Sequence, residues 1–129
     1  MQHTEVTEKF RATHCYDRES GLLHITACGL AEPEDILAMY NKIMQLSQRY
    51  DCHRALIDMR EMVKNVDDNR LLAMMDQLDS LLRRIRVARV VNAGDQQQGL
   101  VQSIADSRNY PLKNFSSQDQ ALAWLLPGL

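Results

Sequence analysis

The sequence predicts a mixed α/β domain with a mostly parallel sheet that opens on an antiparallel hairpin. Three observations predict it. Two segments, 9–16 and 22–29, alternate with period two around the turn DRESG. Beyond residue 30 the pattern switches between helical and strand-like periods until the chain ends. A helix-length segment separates each later strand from the next, as a right-handed parallel crossover requires. The predicted order is β-β-α-β-α-β-α-β-α in a single domain, 1–129.

The first strand is KFRATHCY, 9–16, and Gly21 closes the turn that follows. In the second, LLHITACG, 22–29, Leu23, Ile25 and Ala27 share one face, opposite Leu22, His24, Thr26 and Cys28. If 16 pairs with 22, His14 and His24 face each other. A helix over 31–50 carries Ile36, Leu37, Tyr40, Ile43 and Met44 at helical spacing. Pro33 suits its first turn, and Glu32, Glu34 and Asp35 suit its positive dipole end.

RALIDM, 54–59, is the third strand, and a second helix covers about 67–84. Asp67 or Asp68 caps it, and Leu71, Met75, Leu78, Leu82 and Ile85 step by three or four. RVARVVNAG, 86–94, is the fourth strand, followed by a helix over 96–110 that Pro111 terminates. LKNFS, 112–116, is the fifth strand, and Ser117 caps a last helix over about 118–126. Arg89 lies between Val87 and Val91 on one strand face, where a doubly covered strand should hold no guanidinium. The expectation is a sheet face left partly uncovered, or covered by a partner.

Composition narrows the function classes. A hydrophobic share of 45% with 25% charged residues is that of a globular protein. A net charge of −2 gives no global attraction to nucleic acid or acidic membranes. The basic run Arg83, Arg84, Arg86 and Arg89 has no interleaved aromatic residue and crosses from a helix into a strand, so no nucleic-acid partner is expected. No segment has the length of a leader or of a membrane span. Three cysteines without a CxxC argue for a reducing, cytoplasmic setting.

The segments GLLHITACGLAEPEDI, HRALIDMRE, RVARVVNAG and NFSSQDQALAWL together resemble the SpoIIAA-like branch of the STAS superfamily, small bacterial domains related to anti-sigma-factor antagonists. The resemblance implies a sheet of four or five strands flanked by helices. It also implies, in true antagonists, a phosphorylatable serine just after the third strand. From Asp58 to Asp79 this chain has no Ser, Thr or Tyr, so that switch is ruled out.

Candidate site residues gather where parallel strands end, the crevice that ligands favour in such sheets. Gly29, Leu30, Asp58 to Glu61, Asn92 to Asp95, Ser116 and Ser117 should meet there. Asp58 and Arg60 either bind an anion or a partner's acidic group, or pair with each other as the strand runs into water. Asn92 and Gly94 belong to NAGDQQQG, which lacks the lysine and hydroxyl of a phosphate loop and reads as a tight turn. Met62, Met74 and Met75, with Met39, Met44 and Met59, either fill the core or line an adaptable apolar groove. Two histidines supply too few ligands for a closed metal site, and no nucleophile constellation is visible; neither metal nor cofactor is expected. The expectation is a non-enzymatic interaction module that binds a protein partner or self-associates as a homo-oligomer. The alternative is a carrier or sensor of a small apolar or lipid-like ligand.

Overall fold

A computed structural model describes residues 2–6 by their backbone and 9–126 in full. The leader reading of the N-terminal segment falls partly on residues 1, 7 and 8, which lie outside the described residues. Six strands form one sheet in sequence order: β1 Gln2–Val6, β2 Phe10–Asp17, β3 Leu22–Ala31, β4 Arg54–Lys64, β5 Arg86–Val90 and β6 Leu112–Phe115. β1, β2 and β3 pair antiparallel; β3 through β6 pair parallel. The helices are α1 Pro33–Tyr50, α2 Asp68–Gln77, α3 Asp79–Arg84, α4 Gln98–Ser107 and α5 Gln118–Leu125.

The helix ends form as their residues dictate. Pro33 opens α1, and the Asp35 carboxylate accepts from Glu32 N–H at 2.9 Å in a capping box. Asp67 caps α2 through Arg70 N–H at 2.8 Å, and Ser117 caps α5 through Gln120 N–H at 3.2 Å. Ser47 Oγ donates to Cys52 carbonyl at 2.5 Å, closing the turn after α1.

Two apolar layers result. On one face Leu23, Ile25, Ile57 and Val87 meet α1 to α4. On the other, Leu22, Leu56, Ala88 and Val90 meet α5. Arg54 and Arg86 tether α5 by donating to the Leu125 and Trp124 carbonyls, and Arg86 stacks 3.7 Å above the Trp124 ring.

Several expectations need correction. β1 adds a strand that the pattern did not indicate. The hairpin pairs Asp17 with Leu22, one residue away from the assumed register. His14 therefore sits opposite Ile25, His24 sits opposite Cys15, and the two imidazoles lie on different faces. The helix over 67–84 is two segments meeting at Leu78, yet the apolar spacing continues through the break. The fourth strand ends at Val90, short of residue 94, and the helix after it spans Gln98–Ser107.

β4 does not end at Met59. It continues to Lys64, paired with the end of β3 from Cys28–Glu61 to Ala31–Lys64, after an irregularity between Thr26 and Cys28. β5 pairs with β4 only as far as Asp58–Val90. Beyond it, β4 borders open solvent, where charged residues are tolerated in a strand.

The Arg89 expectation is overturned as well. Arg89 is 4% exposed and faces the layer under α2 and α4, the better covered one. The thinly covered region is the opposite face over β2 and β3, where Arg11, Cys15 and Thr26 are exposed.

Candidate functional site

The overhang of β4 past β5 makes a cleft. One wall is the β4 edge, with Arg60, Met62, Val63 and Lys64. The other is the β5–α4 loop, with Asn92, Gly94, Asp95, Gln96 and Gln97. Its volume is about 590 Å³. Val63 stands 64% exposed on its rim.

Two successive side-chain turns shape the loop wall. Asn92 Oδ1 accepts from Gly94 N–H at 2.7 Å, and Asp95 Oδ1 accepts from Gln97 N–H at 2.9 Å. Asn92 Nδ2 also reaches the Arg60 carbonyl at 3.4 Å and ties the loop to the β4 edge. Gln97 Nε2 donates to the Val66 carbonyl at 2.8 Å and to Asp68 Oδ1 at 3.1 Å, joining the start of α4 to that of α2.

These turns aim the second oxygen of Asp95 inward. Oδ2 lies 3.1 Å from Lys64 Nζ and 3.8 Å from Arg89 Nη2. All three side chains are largely buried, only 9% exposed for Lys64, 5% for Arg89 and 14% for Asp95. Two cations thus share one carboxylate. Burial, and then the charge of Arg89, lower the Lys64 pKa against the opposing pull of Asp95.

Behind this cluster lies a small apolar cavity of about 30 Å³. Met59, Met74, Met75, Leu71 and Val101 line it together with Arg89 and Lys64. Met59 and Lys64 border both the cavity and the cleft.

The sequence-predicted residues fall as follows. Arg60, Met62, Asn92 and Gly94 share the cleft. Met74 and Met75 line the cavity behind it. Asp58 lies within β4 rather than at its end and is not part of the cleft lining; it holds Arg60 in a two-point pair, at 3.0 Å to Nε and 2.8 Å to Nη2. That hydrogen bonding is the main reason the Asp58 carboxyl titrates below its ordinary range. Burial lowers the His24 pKa, and Asp58 partly opposes the shift.

Lys64 was missed as a site residue, and Arg89 was misread. A signal existed: a guanidinium on a strand buried on both faces needs a carboxylate, and Asp95 is the first acidic residue after that strand.

No family model matches this chain, and no curated protein matches it. Solved structures do. An uncharacterized protein of the DUF3478 family with a SpoIIAA-like fold, from Shewanella loihica PV-4, superposes with a TM-score of 0.60 at 18% identity, over 95% of this chain and 98% of that one. The fold is SpoIIAA-like. An anti-sigma factor antagonist from Mycobacterium paratuberculosis superposes with a TM-score of 0.59 at 14% identity, over 88% of this chain and 93% of the other. At these identities the likeness concerns the SpoIIAA-like fold alone. Among the described residues, no helix is long and apolar enough to cross a membrane, and no three His, Cys, Asp or Glu side chains group as metal ligands.

Proposed function

We propose that this chain is a non-enzymatic regulatory module that binds a protein partner along the cleft. One observation carries the reading: β4 from Met59 to Lys64 has no β5 neighbour, so a strand edge lies open beside Val63 and Met62. An extended segment of a partner can add to such an edge, with main-chain hydrogen bonds for affinity and side-chain contacts for selectivity. The charged groups of the cleft support binding over catalysis, because each is engaged by a neighbour: Arg60 by Asp58, Lys64 and Asp95 by each other, and Asp68 by Gln97. The similarity to an anti-sigma factor antagonist agrees with a regulatory role. Three unbridged cysteines suit a reducing, cytoplasmic setting.

A photo-crosslinking residue at position 63, compared with one at exposed Gln48 on α1, tests this in cells. A discrete protein adduct specific to position 63 is expected. An adduct of two copies of this chain identifies the partner as a homo-oligomer. Equal labelling at both positions, or none at 63, refutes the proposal.

A second reading, a carrier or sensor of a small apolar ligand, is favoured by the apolar surface that Met59, Met62 and Val66 give the cleft, with the small cavity at Met59, Met74 and Met75 behind it.

A further inference from the structure

We infer that Arg89 and Lys64 form a buried receptor for the carboxylate of a small monocarboxylic acid whose apolar chain lies along Met59 and Met62. The inference rests on the second reading above and is independent of the protein-partner reading.

Charge is the first argument. Arg89 and Lys64 carry two positive charges against the single negative charge of Asp95, so among the described residues one buried positive charge is unbalanced. An uncompensated buried charge is costly, and a monoanion cancels it.

Geometry is the second. Arg89 Nε and Nη2 have no hydrogen-bond partner among the described residues, and Asp95 at 3.8 Å is beyond hydrogen-bond reach of Nη2. Nε and Nη2 form one edge of the guanidinium. The same edge of Arg60 holds both oxygens of Asp58. The free edge of Arg89 therefore fits the two coplanar oxygens of a carboxylate.

Space is the third. The cavity at Arg89, about 30 Å³, has room for little more than a small head group. The cleft beyond Lys64, about 590 Å³, has room for the rest of the molecule. Met59, Met62 and Val66 give it apolar surface, and Met59 borders both spaces. Three features thus converge: an unbalanced positive charge, a free guanidinium edge and an apolar wall.

Isothermal titration of the full chain with hexanoate tests the inference, with 1-hexanol and inorganic phosphate as comparisons. Hexanoate is expected to bind, to raise the unfolding midpoint, and to bind at least about tenfold more tightly than hexanol, because only the acid meets the guanidinium. Arg89→Met should abolish the preference for hexanoate over hexanol. Lys64→Met should weaken it, and circular dichroism shows whether each variant is folded. If Arg89→Met does not fold, a weakened preference in folded Lys64→Met supports the inference. An unchanged preference there overturns it, as does an undiminished preference in folded Arg89→Met. Equal binding of hexanol and hexanoate overturns the carboxylate receptor while leaving the apolar-ligand reading standing. Binding of phosphate but not hexanoate overturns it in favour of a plain oxoanion site. Failure of all three to bind overturns both.

Discussion

The Lys64–Asp95–Arg89 cluster predicts two substitutions of opposite sign. Arg89→Met removes the excess cation while Asp95 keeps Lys64 at 3.1 Å, so no charge is orphaned. The attraction that is lost acts over 3.8 Å. It amounts to about 4 kcal/mol at an effective dielectric constant of about 20. Against it stand the desolvation of a guanidinium, several kcal/mol, and its repulsion of Lys64. Met also packs well beside Met59 and Met74, which line the same cavity. The expected result is a gain of about 1–3 kcal/mol, in line with other replacements of buried ions by apolar residues. Asp95→Asn keeps an oxygen to accept from Gln97 N–H and so preserves the turn, but it leaves two buried cations without a counter-charge. It should cost about 3 kcal/mol or more. Urea denaturation followed by circular dichroism measures both changes, with a thermal midpoint several degrees higher for the first variant. Should Arg89→Met lose more than about 1 kcal/mol while Asp95→Asn stays within about 0.5 kcal/mol of the parent, the charge accounting is wrong.

Three further outcomes are expected. Gly29 has φ +94, and an added Cβ would lie 2.1 Å from the Lys9 carbonyl oxygen; Gly29→Ala should cost upwards of about 2 kcal/mol, measured by the same denaturation, and a neutral effect would discredit the close approach of β3 to residue 9. Ser47→Ala leaves the buried Cys52 carbonyl without its donor and should cost about 1–2 kcal/mol; native-like urea stability would show that the bond contributes nothing. Burial holds the Lys64 pKa below the ordinary lysine range, so between its folded and unfolded pKa values the unfolded chain binds more protons and stability rises with pH. Below the folded pKa the full penalty of the buried ammonium remains. Stability measured against pH should show this alkaline rise in the parent and lose it in Lys64→Met, and an identical slope in both would assign the rise to other groups.

Much of the fold was legible along the chain. Period-two alternation located β2 and β3, and helical spacing located α1. Asp67 and Ser117 marked helix starts because their side chains cap locally, without help from distant contacts. Other features were not legible for equally physical reasons. The burst Asp58, Arg60, Glu61 looked like the end of a strand because charge normally means water. β4 tolerates it as strand because β5 stops at Val90 and leaves that edge in solvent. The break at Leu78 was hidden because the buried spacing of Met75, Leu78, Leu81 and Leu82 runs through it. The hairpin register slipped by one because the pattern fixes which face each residue takes but not which residue stands opposite.

The candidate site divides in the same way. Arg60, Asn92 and Gly94 were placed together from the rule that parallel strands end at one rim, and they line one cleft with Met62, which the methionine cluster singled out. Asp58 was drawn in with them, although it serves to hold Arg60. Arg89 showed the limit most clearly. The strand pattern said that a guanidinium did not belong there. Only the folded chain brings Asp95 and Lys64 beside it.

The sequence by itself determined the order of elements, their amphipathic faces and several of their caps, because each depends on residues a few positions apart. Tertiary structure decided the overhang of β4, the side of the sheet that receives Arg89, and the meeting of Lys64, Arg89 and Asp95. Those depend on pairing and burial between segments more than thirty residues apart in part, and local propensity carries no information about such distances.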